Sequence, residues 1–253
     1  LKTAVALLVR ATRKMRSRRK RREEFLSFDT PEIRVLCDET THEIQGIERR
    51  EQRESDELVE ECMLAANSAV AEEISIANFA GIYRIHPEPE PEKLDEFTLF
   101  VAALLKRMPG DLTNRKVCNE FLDHLPDDHR KYVITANFLR AMARASYSPD
   151  PGLHYGLGKT RYSHFTSPIR RYSDLALHQQ LHAAAENTRL RSKKTFAAIA
   201  QECSKREERN DEAYFAANDR LKLHYLKSRN ALEAMKLYEG VVIKMSSQGM
   251  ICD

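Results

Sequence analysis

The stretch His154-Tyr-Gly-Leu-Gly-Lys-Thr-Arg-Tyr-Ser-His-Phe-Thr-Ser-Pro-Ile-Arg-Arg-Tyr-Ser-Asp-Leu-Ala-Leu-His-Gln-Gln-Leu181 decides how this chain is read. At its centre Ser167-Pro168 precedes the paired guanidiniums of Arg170 and Arg171, with Tyr155, Tyr162, His164, Phe165 and Tyr172 close in sequence. Arginine presents a planar fork of donors that matches phosphate oxygens, and aromatic faces stack on bases. The combination points to a single-stranded nucleic acid held at a phosphate. Proline fixes its own φ and pushes Ser167 towards extended geometry, so Thr166-Ser167-Pro168 is predicted to be a stiff turn opening a helix near Ile169. Backbone amides and the helix dipole then favour an anion where Arg170 sits. Tyr172, Leu175, Leu177, His178 and Leu181 continue at roughly helical spacing and predict an apolar face against the core. The plainer alternative is a helix whose arginines lie in water or pair with carboxylates.

Outward from this segment the periodicity is mostly helical. A basic helix opens the chain, with Ala4, Leu7, Leu8, Ala11 and Met15 as its packing face. Ile33 to Leu36 and Ile44 to Ile47 read as a strand pair around a turn from Asp38 to His42. Further helices are expected from about Ser55 to Ala77, Glu92 to Met108, Asn114 to His124, His129 to Ser146, Ile169 to Glu186 and Ser192 to Ala234. Pro87, Pro89 and Pro91 mark an extended linker, and Val241 to Lys244 with Met250 to Cys252 read as a hairpin.

The formal net charge over 253 residues is only +3, too small to argue for nucleic acid by itself, but its distribution is uneven. Arg13, Lys14, Arg16, Arg18, Arg19, Lys20, Arg21 and Arg22 follow one another with no acid among them. They form either a phosphate-steering surface or a solvated face that pairs with acids elsewhere. No apolar run is long enough to cross a bilayer, so no membrane partner is expected. Cys37, Cys62, Cys118, Cys203 and Cys252 form no close pairs. That spacing argues against a zinc knuckle or disulfide scaffold and for a reducing cytoplasm.

Several residues invite over-reading. His178 and His182 lie four apart without an evident third zinc ligand. Gly156-Leu-Gly158 lacks the third glycine of a phosphate loop. Asp127-Asp128-His129 sits in a loop after Pro126, and two adjacent carboxylates do not converge on one ion alone. Ser167 has no identifiable His and Asp partners and shapes the turn. Glu60 and Glu61 are helix neighbours that point in different directions, one to a site and the other to the surface.

Tyr162-Ser-His-Phe-Thr-Ser-Pro-Ile-Arg-Arg-Tyr-Ser-Asp-Leu175 resembles the signature of the RNB exoribonucleases, the ribonuclease II and ribonuclease R family. Leu58-Val-Glu-Glu-Cys-Met-Leu-Ala-Ala-Asn67, Ile82-Tyr-Arg-Ile-His-Pro87, the Arg- and Glu-rich run from Cys203 to Ala213, and Glu239-Gly-Val-Val-Ile-Lys244 resemble further motifs of that family in the same order. Two departures stand out: Glu24 where the family usually has glycine, and Arg220 where it usually has tryptophan. The resemblance implies an α+β fold: residues 1–237 as the mainly helical C-terminal portion of an RNB catalytic domain with a few strands, and 238–253 as the first strands of an S1 (OB-fold) RNA-binding domain. It implies hydrolytic 3′-to-5′ shortening of single-stranded RNA to nucleoside 5′-monophosphates with two magnesium ions. No Asp-x-Asp-Asp pattern occurs, so the metal ligands are expected upstream and this chain is expected to be an inactive fragment. Arg170 is implied as the catalytic cation on the scissile phosphate, and Glu60, Tyr155, Tyr162, His164, Ser167 and Arg171 as RNA contacts. The alternative is a non-catalytic RNB-like RNA-binding protein.

Overall fold

The computed structural model of the protein describes residues 2–22, 25–26, 32–41, 43–50, 52–232, 242–247 and 249–252. In chain order the helices are α1 (Lys2–Arg21), α2 (Glu54–Ile76), α3 (Pro91–Leu105), α4 (Arg115–Asp123), α5 (His129–Ala141), α6 (Tyr172–Ala185) and α7 (Lys193–Leu232). The strands are β1 (Glu32–Cys37), β2 (Ile44–Arg50), β3 (Tyr83–Ile85), β4 (Ser146–Ser148), β5 (Val242–Ser246) and β6 (Gly249–Cys252). They pair as three antiparallel two-stranded sheets, β1 with β2, β3 with β4, and β5 with β6. The architecture is mostly helical with few strands, as expected.

Helix boundaries follow local chemistry. Asp56 accepts from the Arg53 backbone N–H at 3.0 Å ahead of α2, a side chain satisfying an orphan donor at a helix start. Pro91 opens α3, and Lys106 in the left-handed region ends it. Asn114 caps α4 through the Lys116 and Val117 amides, and Asp128 caps α5 through the Arg130 amide at 2.8 Å. Arg130 and that amide hold the Asp128 carboxyl down at about 2. Asp128 is therefore committed to a helix cap.

Two apolar cores flank the short β3–β4 ribbon. One joins α3, α4 and α5 through Phe97, Val101, Cys118, Phe121, Ile134 and Phe138. The other joins α2, β3, α6 and α7 through Ala71, Ile74, Tyr83, Ala176, Leu177 and Phe196. Burial pushes the Cys118 thiol up to about 11, so it behaves as a small apolar residue. Between the cores, residues 153–162 run along β3: the Arg84 amide donates to Tyr162 at 2.7 Å, the His86 amide to Leu153 at 2.8 Å, and the Tyr155 amide to His86 at 2.7 Å. Gly156 lies against His86, where a Cβ would meet the ring Nδ1 at 3.2 Å, and Gly158 takes φ +65. These glycines serve close packing and a turn.

Three expectations are corrected. The helix predicted to run to Ser146 stops at Ala141, and Ser146–Ser148 pair with β3 in the register Tyr83↔Ser148, Arg84↔Tyr147, Ile85↔Ser146. That pairing is long-range and leaves no local periodicity. Helix α6 starts at Tyr172, because Pro168 to Arg170 form a separate turn. The apolar face read on α1 does not pack against the described residues: Leu7, Leu8 and Met15 are exposed, while Thr12 and Arg19 are buried and Val9 is half-buried. Helix α1 instead meets α2 through Arg13–Glu54, Arg16–Glu57 (3.4 Å) and Arg19–Glu61 (2.5 Å). Cations and acids repeat at matching helical intervals on the two helices, so one row of carboxylates meets one row of guanidiniums. Glu61 is thus a buried partner of Arg19 and no surface acid.

Glu24 lies outside the described residues, as does the expected boundary near residue 237, although the hairpin after it is present as β5 and β6. Arg220 is exposed on α7. No described helix is long and apolar enough to cross a membrane.

The ionic contact between α1 and α2 is unevenly shared. Glu61→Ala leaves Arg19 buried without its carboxylate and is expected to destabilise the protein by about 3–5 kcal/mol. Glu54→Ala, at an exposed pair, is expected to cost under about 1 kcal/mol. Urea denaturation of the two variants checks this; equal midpoints would remove Arg19–Glu61 as the clamp.

Candidate nucleic-acid interface

The segment from Ser167 to Arg171 is a turn held from below. The Ser167 carbonyl accepts the amides of Arg170 (3.3 Å) and Arg171 (3.0 Å). Asp174 is completely buried and its carboxylate gathers four donors. They are the Ser167 amide at 2.8 Å, Arg171 Nε at 2.9 Å, Arg171 Nη2 at 2.7 Å and the Ser173 hydroxyl at 3.0 Å. A buried carboxylate needs this degree of satisfaction. It also occupies the first turn of α6, where the helix dipole favours negative charge. The anion expected at this helix start is therefore Asp174 itself, and Arg170 stands outside it.

The two arginines consequently differ. Arg171 closes a bidentate pair with Asp174. Arg170 is exposed, with no side-chain partner among the described residues, next to the fully exposed Ile169 at the tip of the turn. Ser167 contributes backbone, and Asp174 contacts its amide in place of its hydroxyl, so no Ser-His-Asp geometry exists here. The buried face of α6 is Ser173, Asp174, Ala176, Leu177 and Gln180, while Tyr172 and Leu175, expected inside, are exposed. Polar residues can face inward because they are satisfied: Gln180 donates to the Ala80 and Arg191 carbonyls and accepts from the Arg191 amide.

Beside this turn lies an open groove of about 340 Å³ lined by Asp56, Val59, Glu60, Met63, Leu64, Asn67, Tyr162, His164 and Arg171. It brings together four residues singled out from sequence: Glu60, Tyr162, His164 and Arg171. Glu60 accepts from Gln52 at 3.0 Å, about 100° around α2 from Glu61. Tyr155 is not with them. Its ring is buried in the α3–α5 core, beneath the guanidinium of Arg115 at 4.9 Å. The three-residue 3₁₀ turn at Tyr155–Leu157 places it there, so an aromatic read as a stacking platform is a core residue. Asn67, which the sequence reading passed over, joins the groove wall to its floor. Its Nδ2 donates to the Tyr162 hydroxyl at 2.9 Å, and its Oδ1 accepts the Phe165 amide at 3.0 Å. Its signal in the sequence is an amide at helical spacing from Leu64, Ala71 and Ile74, which are buried with it.

His164 meets the rings of Tyr147 and Tyr162 edge-on, at 5.6 and 5.9 Å between centroids, with Nδ1 2.8 Å from the Tyr147 hydroxyl. Burial, with the Arg171 and Arg84 charges behind it, pushes its pKa down to about 3. His164 is therefore neutral near pH 7 and offers a ring and a hydrogen bond without charge. His164 offers a half-buried ring, Tyr162 is buried in the groove wall with its hydroxyl held by Asn67, Glu60 and Asp56 supply acceptors for sugar or base donors, and Arg170 is an exposed cation on the adjoining turn.

Among the described residues no group of three His, Cys, Asp or Glu side chains converges in a way that could hold a metal ion. His178 is engaged elsewhere: its ring stacks on Phe165 at 3.9 Å and its Nε2 bonds the Phe165 carbonyl at 2.8 Å. The described residues thus do not fit a divalent-metal centre.

Residues 1–187 match the RNB domain model. Ribonuclease R of Aquifex aeolicus is 35% identical over 226 residues, which covers 86% of this chain and 31% of that protein. The chain therefore spans about a third of the length of this curated relative. Among solved structures, Mycoplasma genitalium RNase R in complex with ribose methylated single-stranded RNA matches with a TM-score of 0.89 and 23% identity, covering 99% of this chain and 39% of that one. Yeast Ssd1, a pseudonuclease, matches with a TM-score of 0.52 and 23% identity over 60% of this chain and 20% of its own. These two likenesses speak to fold.

The site's histidines make a pH prediction. Burial first of all lowers His154 to about 4, His164 to about 3, and His86 below its ordinary value of 6.5. Below that ordinary value the unfolded chain takes up protons that the folded chain refuses, so stability falls as pH drops from about 6.5 towards 4 and then 3. Urea midpoints are expected to fall between about pH 7.5 and about pH 5. The fall should be shallower in His154→Gln/His164→Gln; an equally steep fall would place the titrating groups elsewhere.

Proposed function

The chain belongs to the RNB family, and from that premise we propose that it forms the RNA-gripping part of a hydrolytic 3′-to-5′ exoribonuclease acting on single-stranded RNA. The observation that carries this reading is the division of labour at the turn: Asp174 fixes Arg171 and the backbone, and Arg170 is left exposed beside an aromatic groove, unpaired among the described residues. A guanidinium held on a stiff turn costs little to reorganise, so its charge is available where negative charge builds on a phosphate in the transition state. In this reading Arg170 touches the scissile phosphate, Glu60 the terminal sugar or base, and His164 a base, with the buried Tyr162 backing it in the groove wall. Arg171 lines the channel while bound to Asp174, and Ser167 shapes the turn. The divalent metal, proposed to be magnesium, takes its donors from outside the described residues, and the contribution of these residues is binding, orientation and charge. The hairpin β5–β6 is proposed to begin an S1 RNA-binding domain, and the protein to work in the cytoplasm. A second reading, a non-catalytic RNA-binding protein on the same fold, is supported by the likeness to Ssd1.

Two experiments test this. Residues 1–253, incubated with a labelled oligoribonucleotide and magnesium, are expected to leave it intact; progressive release of mononucleotides would place a metal centre within them. In a longer protein that degrades RNA, Arg170→Lys keeps the charge and loses the fork. Turnover is expected to fall by roughly 10²–10³-fold with binding largely retained. Unchanged turnover would make Arg170 structural, and a longer protein that binds RNA without degrading it would favour the second reading.

A further inference from the structure

The basic run of α1 is divided by its partners. Arg13, Arg16, Arg19 and Lys20 pair with Glu54, Glu57, Glu61 and Asp123. Arg18 is exposed and has no partner among the described residues; it lines a groove of about 220 Å³ between α1 and α2, together with Met15, Arg19, Glu61, Leu64 and Lys159. Lys159, brought in by the turn after Tyr155–Leu157, likewise has no side-chain partner there. At the groove's inner side, Arg19 Nε and Nη1 are shielded from solvent without an acceptor, and they are the only buried side-chain nitrogens in that condition among the described residues. Phe25 covers the face of this guanidinium at 4.0 Å, which leaves its in-plane N–H groups as the unused donors. The groove therefore has donors and positive charge in excess of its one carboxylate, Glu61, which Arg19 already holds.

Leu64 lines both this groove and the aromatic groove that holds Glu60, Tyr162 and His164, so the two lie side by side along α2. We infer that the α1–α2 groove is a phosphate subsite that takes a backbone phosphodiester of the same RNA strand whose nucleotides occupy the aromatic groove, with Arg18 and Lys159 as its donors and the buried, under-neutralised Arg19 as the charge behind them. This inference rests on the proposed RNA-binding role. A free nucleoside monophosphate carries the same oxyanion, so the test separates the two sources.

The experiment titrates the whole chain with a labelled oligouridylate, without divalent metal, over a range of salt. Arg18→Ala/Lys159→Ala is expected to flatten the dependence of log affinity on log salt by about 0.7, the value for one single-strand phosphate that is no longer neutralised. Arg10→Ala/Lys14→Ala removes the same charge from the same helix away from the groove and is expected to leave the slope unchanged. Melting curves that overlay the parent's keep both results readable. Equal flattening by both pairs would reduce the effect to general charge and overturn the subsite. An unchanged oligouridylate slope in Arg18→Ala/Lys159→Ala, with uridine 5′-monophosphate binding abolished, would assign the groove to a free nucleotide and overturn it too. Failure of the parent chain to bind oligouridylate at any salt would sink the RNA-binding reading itself, whereas binding with an unchanged slope in all variants sinks only the subsite.

Discussion

A carboxylate with no solvent contact is the point on which this structure's functional face depends. Asp174 would be costly to bury alone, and the chain meets that cost with two N–H groups from Arg171, one amide from across the Ser167 turn and one neighbouring hydroxyl. Because those donors come from both ends of the turn, satisfying the carboxylate also fixes the turn's shape. Proline at 168 removes one degree of freedom, and Asp174 removes the others. The exposed position of Arg170 follows from the burial of a residue four places later.

Helix α2 distributes this rigidity. One stripe of it carries Glu60, Met63 and Asn67 along the groove and continues through Ala71 and Ile74 into the α6–α7 core, and a second carries Glu54, Glu57 and Glu61 to α1. Adjacent residues on a helix point about 100° apart, which is why Glu60 and Glu61, identical in chemistry, are assigned to a groove and to a buried clamp. Asn67 then ties this helix to the Tyr162–Phe165 segment with both ends of its amide. The groove wall is thus held by core packing and by hydrogen bonds, on elements far apart in sequence.

Much of this fold is legible in the sequence, and the failures share a cause. Helices α2, α3, α4 and α7 and the β1–β2 hairpin follow from periodicity, caps and turn residues, which are local. The β4 strand, the true inner face of α6 and the inner face of α1 do not, because each is set by partners remote in sequence. Ser146–Ser148 is a strand because Tyr83–Ile85 lies beside it. Gln180 faces inward because the Ala80 and Arg191 carbonyls satisfy it, and Ser173 because its hydroxyl donates to the buried Asp174. Arg19 is buried because Glu61 meets it. A hydropathy pattern assigns polar residues outward, so it errs wherever the interior is held by charge or amides. Within the site, Tyr162, His164, Arg171 and Glu60 do meet along one groove, while Tyr155 is misplaced because an aromatic ring in a motif carries no mark of whether it faces a groove or a core.

Helix α7 has a mechanical consequence. Its 40 residues correspond to about 60 Å at about 1.5 Å each, yet its buried anchors, Phe196 and Ala200, lie in its first three turns. The ion pairs from Arg84 to Glu207 and Arg144 to Asp211 reach only to its middle, and Tyr214, Phe215 and Leu223 beyond them are exposed. Helix α7 also contacts β1 and β2, and Lys222, Tyr225 and Leu226 in its second half are half-buried, so the rod is packed at one end and more lightly held along the rest. A tilt of a few degrees at the packed end would carry the far end of such a lever through several ångströms, so the ion pairs at Glu207 and Asp211, with the contacts to β1 and β2, set the aim of the whole rod.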